Sequence, residues 1–120
     1  MTALAVAVGG GIGAWCRYAL GGVIAARQQR LFPAETLLIN VLGSLLLGAI
    51  VGLASTGRLS DQAVTWVGTG FCGAFTTFST FTFETLRLIE DGAWRAALTN
   101  LFLSGTLCFV GAGAAFHLMN

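Results

Sequence analysis

The chain has 120 residues, of which 56% are hydrophobic and only 9% are charged, and its net charge is +1. Soluble domains carry about 25% charged residues, so this composition is typical of a membrane protein. The six basic residues are arginines spread singly along the chain, and they form no basic surface. This excludes nucleic acid as a partner.

Apolar segments in chain order cover residues 3–26, 33–54, 62–83 and 93–118, and the stretches between them hold nearly all the charge. Each segment is long enough for a helix that crosses the hydrocarbon core, which takes about 20 residues. We therefore predict an all-α integral membrane protein with one transmembrane domain, residues 1–120, and four transmembrane helices. The start of the chain lacks the charged region of a signal peptide, so we expect the first helix to be retained.

Arg17 lies near the middle of the first segment, where no acidic residue accompanies it. A charge at this depth must reach water, a partner or several carbonyl groups. Two roles stay open for Arg17. It could anchor the helix to a neighbour, or it could make a water-filled vestibule attractive to anions.

Polar residues recur every four positions on the second and fourth segments, which places each set on one helical face. These residues are Thr36, Asn40 and Ser44 on the second segment and Asn100, Ser104 and Cys108 on the fourth. Such stripes either form hydrogen bonds between helices or line a path for a polar solute.

Four helices are too few to enclose a pore, so we predict a homo-oligomer. Small residues spaced by four, which let helices approach closely, favour this prediction. They are Gly9 and Gly13 on the first segment and Ser44, Gly48 and Gly52 on the second. The alternative is that the same residues pack within one subunit.

The third segment contains "GTGFCGAFTTF", in which glycines are followed by threonines. Glycine costs about 1 kcal/mol per helical position and threonine is β-branched, so we predict a helix break near residues 73–77. A break within a membrane frees backbone carbonyls that suit a small cation such as Na⁺, and a threonine hydroxyl can cap the second half-helix.

The letters "GTGFCG", residues 68–73, also match the G-x-G-x-x-G pattern of dinucleotide-binding proteins. That pattern is meaningful only between a strand and a helix, and here it lies inside an apolar segment. We therefore expect no nucleotide to bind.

Beyond the predicted break, Phe78 and Phe81 are three residues apart and share a helical face, with Ser79 and Thr80 beside them. Glu84 ends the run at the expected membrane interface. The edge of an aromatic ring is positive, so rings turned edge-on can contact an anion while hydroxyl groups replace its water. This pattern favours a narrow anion path, and ordinary aromatic packing is the alternative.

Neither the cysteines nor the histidine predicts chemistry. Cys16, Cys72 and Cys108 lie in separate segments and are expected to be buried hydrophobic side chains. His117 has no second metal ligand nearby in the sequence. Because no nucleophile and base are paired, we expect no enzyme.

Motifs in three segments resemble the Fluc (CrcB) family of fluoride ion channels. They are "GGGIGAWCRY", "TLLINVLGSLLLG" and "GTGFCGAFTTFSTF", in this order. The resemblance implies an antiparallel, dual-topology homodimer in the inner (plasma) membrane that exports fluoride passively. It also implies two pores and a structural Na⁺ at the dimer interface.

The resemblance further implies roles for individual residues. Asn40 matches a pore-lining asparagine, Phe78 and Phe81 match paired pore phenylalanines, and the carbonyls of Gly73 and Thr76 match a Na⁺ site. The residues that match a polar track beside the rings are Thr36, Ser79, Thr80, Glu84 and Ser104.

A small proton-coupled multidrug transporter is the alternative function, because such proteins are also four-helix chains that pair antiparallel. Proton coupling needs a carboxylate within the membrane. The first segment has none, and only Glu84, at the expected end of the third, approaches this requirement.

Overall fold

The computed structural model describes residues 2–27 and 33–120, and these parts of the chain are helical without a β-strand. The helices are α1 (Thr2–Arg27), α2 (Ala34–Ser55), α3 (residues 61–75), α4 (Phe78–Glu90) and α5 (Trp94–Met119). Within α3, Asp61–Ala63 and Gly73–Phe75 are α-helical and Val64–Cys72 is a π-helix. The predicted all-α class is confirmed.

Three stretches are long and apolar enough to cross a membrane, namely Thr2–Ile24, Ala34–Ser55 and Trp94–Met119. They correspond to the first, second and fourth predicted segments, and they make the chain a multi-pass membrane protein. The third predicted segment is divided between α3 and α4, which follow each other in the chain. The count of four transmembrane helices therefore stays a prediction.

Helix α4 runs to Glu90, beyond the expected end of the third segment at residue 83. Its extra turns are amphipathic, since Leu88 is buried while Arg87 and Glu90 are exposed. The helix ends where Gly92 adopts φ +79°. There the N–H of Ala93 donates to the Leu88 carbonyl, as in a Schellman motif.

The end of α2 has the same geometry. Gly57 has φ +75°, and the N–H of Arg58 donates to the Leu53 carbonyl at 3.0 Å. The next helix then begins with a side-chain cap, because Ser60 Oγ accepts a hydrogen bond from the Ala63 N–H at 3.1 Å.

Helix α2 packs along α5, and α1 packs against the π-helical part of α3. Glycines allow both contacts. A Cβ at Gly48 would lie 2.1 Å from the Ala112 carbonyl oxygen, and a Cβ at Gly9 would lie 2.3 Å from the Trp66 carbonyl oxygen.

Gly52 faces Phe116, and Gly13 faces Phe71, in the same way. The glycines spaced by four therefore serve packing within one subunit, which is the alternative that the sequence left open. Their spacing gives no support to the predicted homo-oligomer.

Replacing Gly48 by alanine tests the α2–α5 contact. We expect Gly48→Ala to lower the free energy of unfolding by about 1–3 kcal/mol, because the added methyl group must displace the backbone of α5. The measurement is the midpoint of denaturant unfolding in detergent micelles.

Gly113→Ala on α5 is the matched control, since a Cβ at Gly113 meets no atom within 4 Å. Alanine is the better helix former, so this variant should unfold no earlier than the wild type. Equal midpoints for Gly48→Ala and Gly113→Ala would show that the close contact does not limit stability.

Candidate functional site

The helix break lies at Thr76 and Thr77. Both residues are extended, with φ −78° and ψ 159° at Thr76 and φ −146° and ψ 119° at Thr77. The break falls within the predicted interval of residues 73–77, but the glycines are not its site, because Gly73 is still helical. The β-branched threonines take the extended conformation, which suits their side chains.

The glycines before the break have a different role. Gly70 lies against α1, where an added Cβ would be 3.1 Å from the Val6 carbonyl oxygen. Gly70 and Gly68 also lie in the π-helix, which the sequence analysis did not predict. Long π-helices are rare, and short ones occur often at functional sites.

The side chain of Asn40 on α2 bridges the break. Its Nδ2 donates to the Thr77 carbonyl at 3.0 Å, and its Oδ1 accepts from the Thr77 N–H at 2.8 Å. An asparagine amide carries the same donor and acceptor as a peptide group, so one side chain satisfies both backbone groups. The N–H of Thr77 would reach the Gly73 carbonyl in a continuous helix, and here it points to Asn40 instead.

Threonine side chains cap both helix ends at the break. Thr77 Oγ1 accepts from the Thr80 N–H at 3.3 Å at the start of α4, the predicted type of cap. Thr76 Oγ1 donates to the Cys72 carbonyl at 2.9 Å at the end of α3. The methyl group of Thr76 faces Gly43 on α2, where an added Cβ would lie 2.2 Å from it.

Two phenylalanine rings follow the break. The centroids of Phe78 and Phe81 are 5.9 Å apart and their planes are tilted by 40°. Phe78 is 78% exposed in the single chain, while Phe81 is half-buried. Phe75, just before the break, is buried and stacks on Phe71 at 5.5 Å, so it belongs to the core.

Two cavities lie beside the break, and Thr77 contributes to the wall of each. The larger, which we call the arginine cavity, has a volume of about 770 Å³ and is lined in part by Arg17, Thr36, Thr77 and Thr80. The smaller, which we call the break cavity, has a volume of about 560 Å³. Its lining includes Asn40, Ser44, Gly73, Thr76, Phe78 and Cys108.

Arg17 is half-buried in the wall of the arginine cavity. Its Nε is buried without a hydrogen-bond partner among the described residues. A guanidinium group donates through all of its nitrogens, so this side chain retains a donor that the surrounding protein does not use. The vestibule role and the anchor role of Arg17 both stay predictions.

Thr36 and Glu84 connect α2 to α4. The hydroxyl of Thr36 donates to Glu84 Oε1, and Thr36 is 5% exposed while Glu84 is half-buried. The sequence placed Glu84 at a helix end, whereas the structure places it in the middle of α4. The difference arises because α4 extends beyond the predicted segment.

Ser104 and Asn100 lie apart from the two cavities, in the contact between α5 and α4. Both are buried, and Ser104 Oγ donates to Asn100 Oδ1 at 3.2 Å. Asn100 Nδ2 donates to Thr85 Oγ1 at 2.8 Å. The sequence analysis missed Thr85, whose only signal was its position four residues after Phe81, on the same helical face.

The predicted site residues therefore do not all lie in one place. Ser79 is exposed at the start of α4, and Thr80 is half-buried beside it. Most of the set lies around the break and the two cavities, while Ser104 lies in the contact between α5 and α4. Their roles toward an ion stay predictions.

Comparison with known proteins gives a consistent match. The profile of a family described as CrcB-like protein, Camphor Resistance (CrcB), matches residues 4–116. A protein of Shewanella frigidimarina named fluoride-specific ion channel FluC is 45% identical over 105 residues, which is 88% of this chain and 85% of the relative. A protein of the same name from Geobacter sulfurreducens is 44% identical over 114 residues, which is 94% of this chain and 92% of the relative.

A third relative, from Nocardia farcinica, is named fluoride-specific ion channel FluC 1. It is 43% identical over 115 residues, which is 96% of this chain and 78% of the relative. The similarity thus includes α2, both halves around the break, and α5.

Removing the Asn40 side chain tests its bond to the break. We expect Asn40→Ala to lower the free energy of unfolding by about 1–3 kcal/mol, because two partly buried backbone groups of Thr77 lose their partner. It should also speed hydrogen exchange in a peptide that contains residues 76–80. Both are measured in detergent micelles.

Ser44→Ala is the control, because Ser44 is one turn further along α2 and lines the same break cavity. It should change neither measurement appreciably. If Asn40→Ala and Ser44→Ala behave alike, the two hydrogen bonds to Thr77 do not hold the break.

Proposed function

Because the chain belongs to the CrcB family, we propose that it is a fluoride-selective ion channel. It exports fluoride passively across the cell membrane and so lowers the cytoplasmic fluoride concentration. The observation that carries the proposal is the broken helix, where hydrogen-bond donors line the arginine cavity and the break cavity, and the first of two neighbouring aromatic rings lines the break cavity. No covalent step on a substrate is involved.

The donors around the break suit a small, strongly hydrated anion, which needs several of them to replace its water. Asn40 uses one N–H on the Thr77 carbonyl and has a second N–H at the wall of the break cavity. The Thr80 hydroxyl accepts from Thr77 Oγ1 at 3.1 Å, and its own proton has no acceptor in the part of the chain that the structure describes. Ser79 adds an exposed hydroxyl.

The rings complete the path. Phe78 and Phe81 are tilted rather than stacked, which leaves positive ring edges available to an anion. Arg17 places a positive charge in the wall of the arginine cavity, where it attracts anions, and Glu35 in the same wall offsets part of this attraction. Thr36 lines the arginine cavity and is hydrogen-bonded to Glu84, and the two residues form part of the polar track.

The functional unit is an antiparallel, dual-topology homodimer in the inner (plasma) membrane. The exposure of Phe78 supports this part of the proposal, because a pore wall must be enclosed and Phe78 is 78% exposed in the single chain. The break cavity likewise opens at the surface that carries Phe78. A second copy would cover this surface.

A structural Na⁺ at the dimer interface fits the residues at the break. The Gly73 carbonyl has lost the N–H of Thr77 to Asn40, and the space beside Gly73 is open. Carbonyl oxygens are the ligands that hard cations prefer. The carbonyls of Gly73 and Thr76 would hold the ion, which would offset their partial negative charge where two subunits meet.

Fluoride efflux from liposomes tests the proposal. The purified protein is reconstituted with internal fluoride or chloride, and efflux is followed with ion-selective electrodes. We expect fast fluoride efflux and much slower chloride efflux. Phe78→Ile should slow fluoride by about tenfold or more, a barrier increase of at least about 1.4 kcal/mol, because the ring edge is lost.

Phe83→Ile is the matched control, since Phe83 lies on the same helix but outside the Phe78–Phe81 pair, and it should conduct like the wild type. Absence of fluoride efflux from folded protein would contradict the channel function. The next assay would then be proton-coupled uptake of a cationic drug, with Glu84→Gln as the variant.

A further inference from the structure

Helix α4 carries Phe78, Phe81 and Glu84, yet apolar packing holds it only weakly. Of its 13 residues, only Leu88 is buried. A helix with so little buried apolar surface can rotate about its axis or shift along it unless other contacts prevent this. Within the single chain, polar contacts to the neighbouring helices therefore contribute to its orientation.

A chain of hydrogen bonds runs from α5 to the backbone of α4. Ser104 Oγ donates to Asn100 Oδ1 at 3.2 Å, and Asn100 Nδ2 donates to Thr85 Oγ1 at 2.8 Å. Thr85 Oγ1 in turn donates to the Phe81 carbonyl at 2.8 Å. This series of hydrogen bonds ends at the backbone carbonyl of Phe81, one of the two ring residues.

The available protons determine which group donates in each of these hydrogen bonds. A threonine hydroxyl has one proton, and that of Thr85 is used on the Phe81 carbonyl. Asn100 must then present its NH₂ group to Thr85 and its oxygen to Ser104. Asn100 is 1% exposed, so water cannot replace either partner.

We propose that Asn100 is a positioning residue, which acts through Thr85 to fix the rotation of α4 and thereby the placement of Phe81 and Phe78. The role in conduction rests on the proposed channel function. Glu84, the residue before Thr85, is bonded to Thr36 on α2. Consecutive residues on a helix point about 100° apart, so α4 is held from two sides at one turn.

Thr82, on the same helix, is a matched control for Thr85. Its hydroxyl donates to the Phe78 carbonyl at 3.0 Å, the same bond to the residue four before it that Thr85 makes. Thr82 is exposed, and it receives no hydrogen bond from another helix among the described residues. Valine at position 82 or 85 therefore removes the same local bond, but only Thr85→Val also breaks the bond to α5.

The experiment compares Thr85→Val, Thr85→Ser and Thr82→Val in the full chain. Hydrogen exchange of a peptide from α4 reports its positioning, and liposome efflux of fluoride and chloride reports conduction. We expect Thr85→Val to speed exchange and to lower fluoride efflux about tenfold, since a buried donor on Asn100 loses its partner. The fluoride-to-chloride efflux ratio should fall as well.

Thr85→Ser keeps the hydroxyl, so its hydrogen exchange, fluoride efflux and fluoride-to-chloride ratio should match those of the wild type. Thr82→Val should stay within about twofold of the wild type in the same three measurements. Asn100→Ala should reproduce Thr85→Val, and the double variant should be no worse than either, because both remove one interaction. If Asn100→Ala does not fold, the isosteric Thr85→Val still decides the proposal.

Equal exchange in Thr85→Val and Thr82→Val would overturn the positioning role. So would faster exchange in Thr85→Val with unchanged fluoride efflux and selectivity, since the bond would then affect structure alone. If the wild type moves no fluoride, the channel function fails, and the exchange comparison alone decides whether Asn100 positions α4.

Discussion

The two hydrogen bonds between Asn40 and Thr77 are the constraint on which the rest of the site depends. A helix break leaves N–H and C=O groups without their helical partners, and each costs free energy when it has no other partner. Asn40 satisfies both groups of one residue. Because it takes the Thr77 N–H, the Gly73 carbonyl has no partner within the helix and becomes available at the break.

Helix α2 contacts the broken helix at two further points. Both lie on the face of α2 that carries Asn40. Gly43 admits the methyl group of Thr76 at the end of α3, and Thr36 binds Glu84 in α4. The bond to Glu84 accounts for the polar residue at position 36, where the polar stripe of α2 begins. A single rigid helix thus holds both halves of the broken one in register, and Ser44 beside it lines the break cavity.

Much of this arrangement could be predicted from the sequence, because hydropathy, the spacing of Phe78 and Phe81 and the threonine cap are local signals. The π-helix could not, since no local pattern marks it and its carbonyls pack against glycines of α1, which are distant in the sequence. The length of α4 was also hidden, because its last turns are amphipathic and contain charged residues. Thr85 was missed because its importance comes from Asn100, which is distant in sequence.

The way in which α4 is held explains how aromatic rings can be ordered and still uncovered. Phe71 and Phe75 show the usual means of ordering a ring, which is to stack it in the core, where no ion can reach it. For Phe78 and Phe81 the backbone is fixed instead, through hydrogen bonds at Thr77, Glu84 and Thr85. In surroundings of low dielectric constant such bonds are stronger than in water. Because these hydrogen bonds hold the backbone beside it, the ring of Phe78 is exposed in the single chain and open to contact with an ion or with a second copy of the chain.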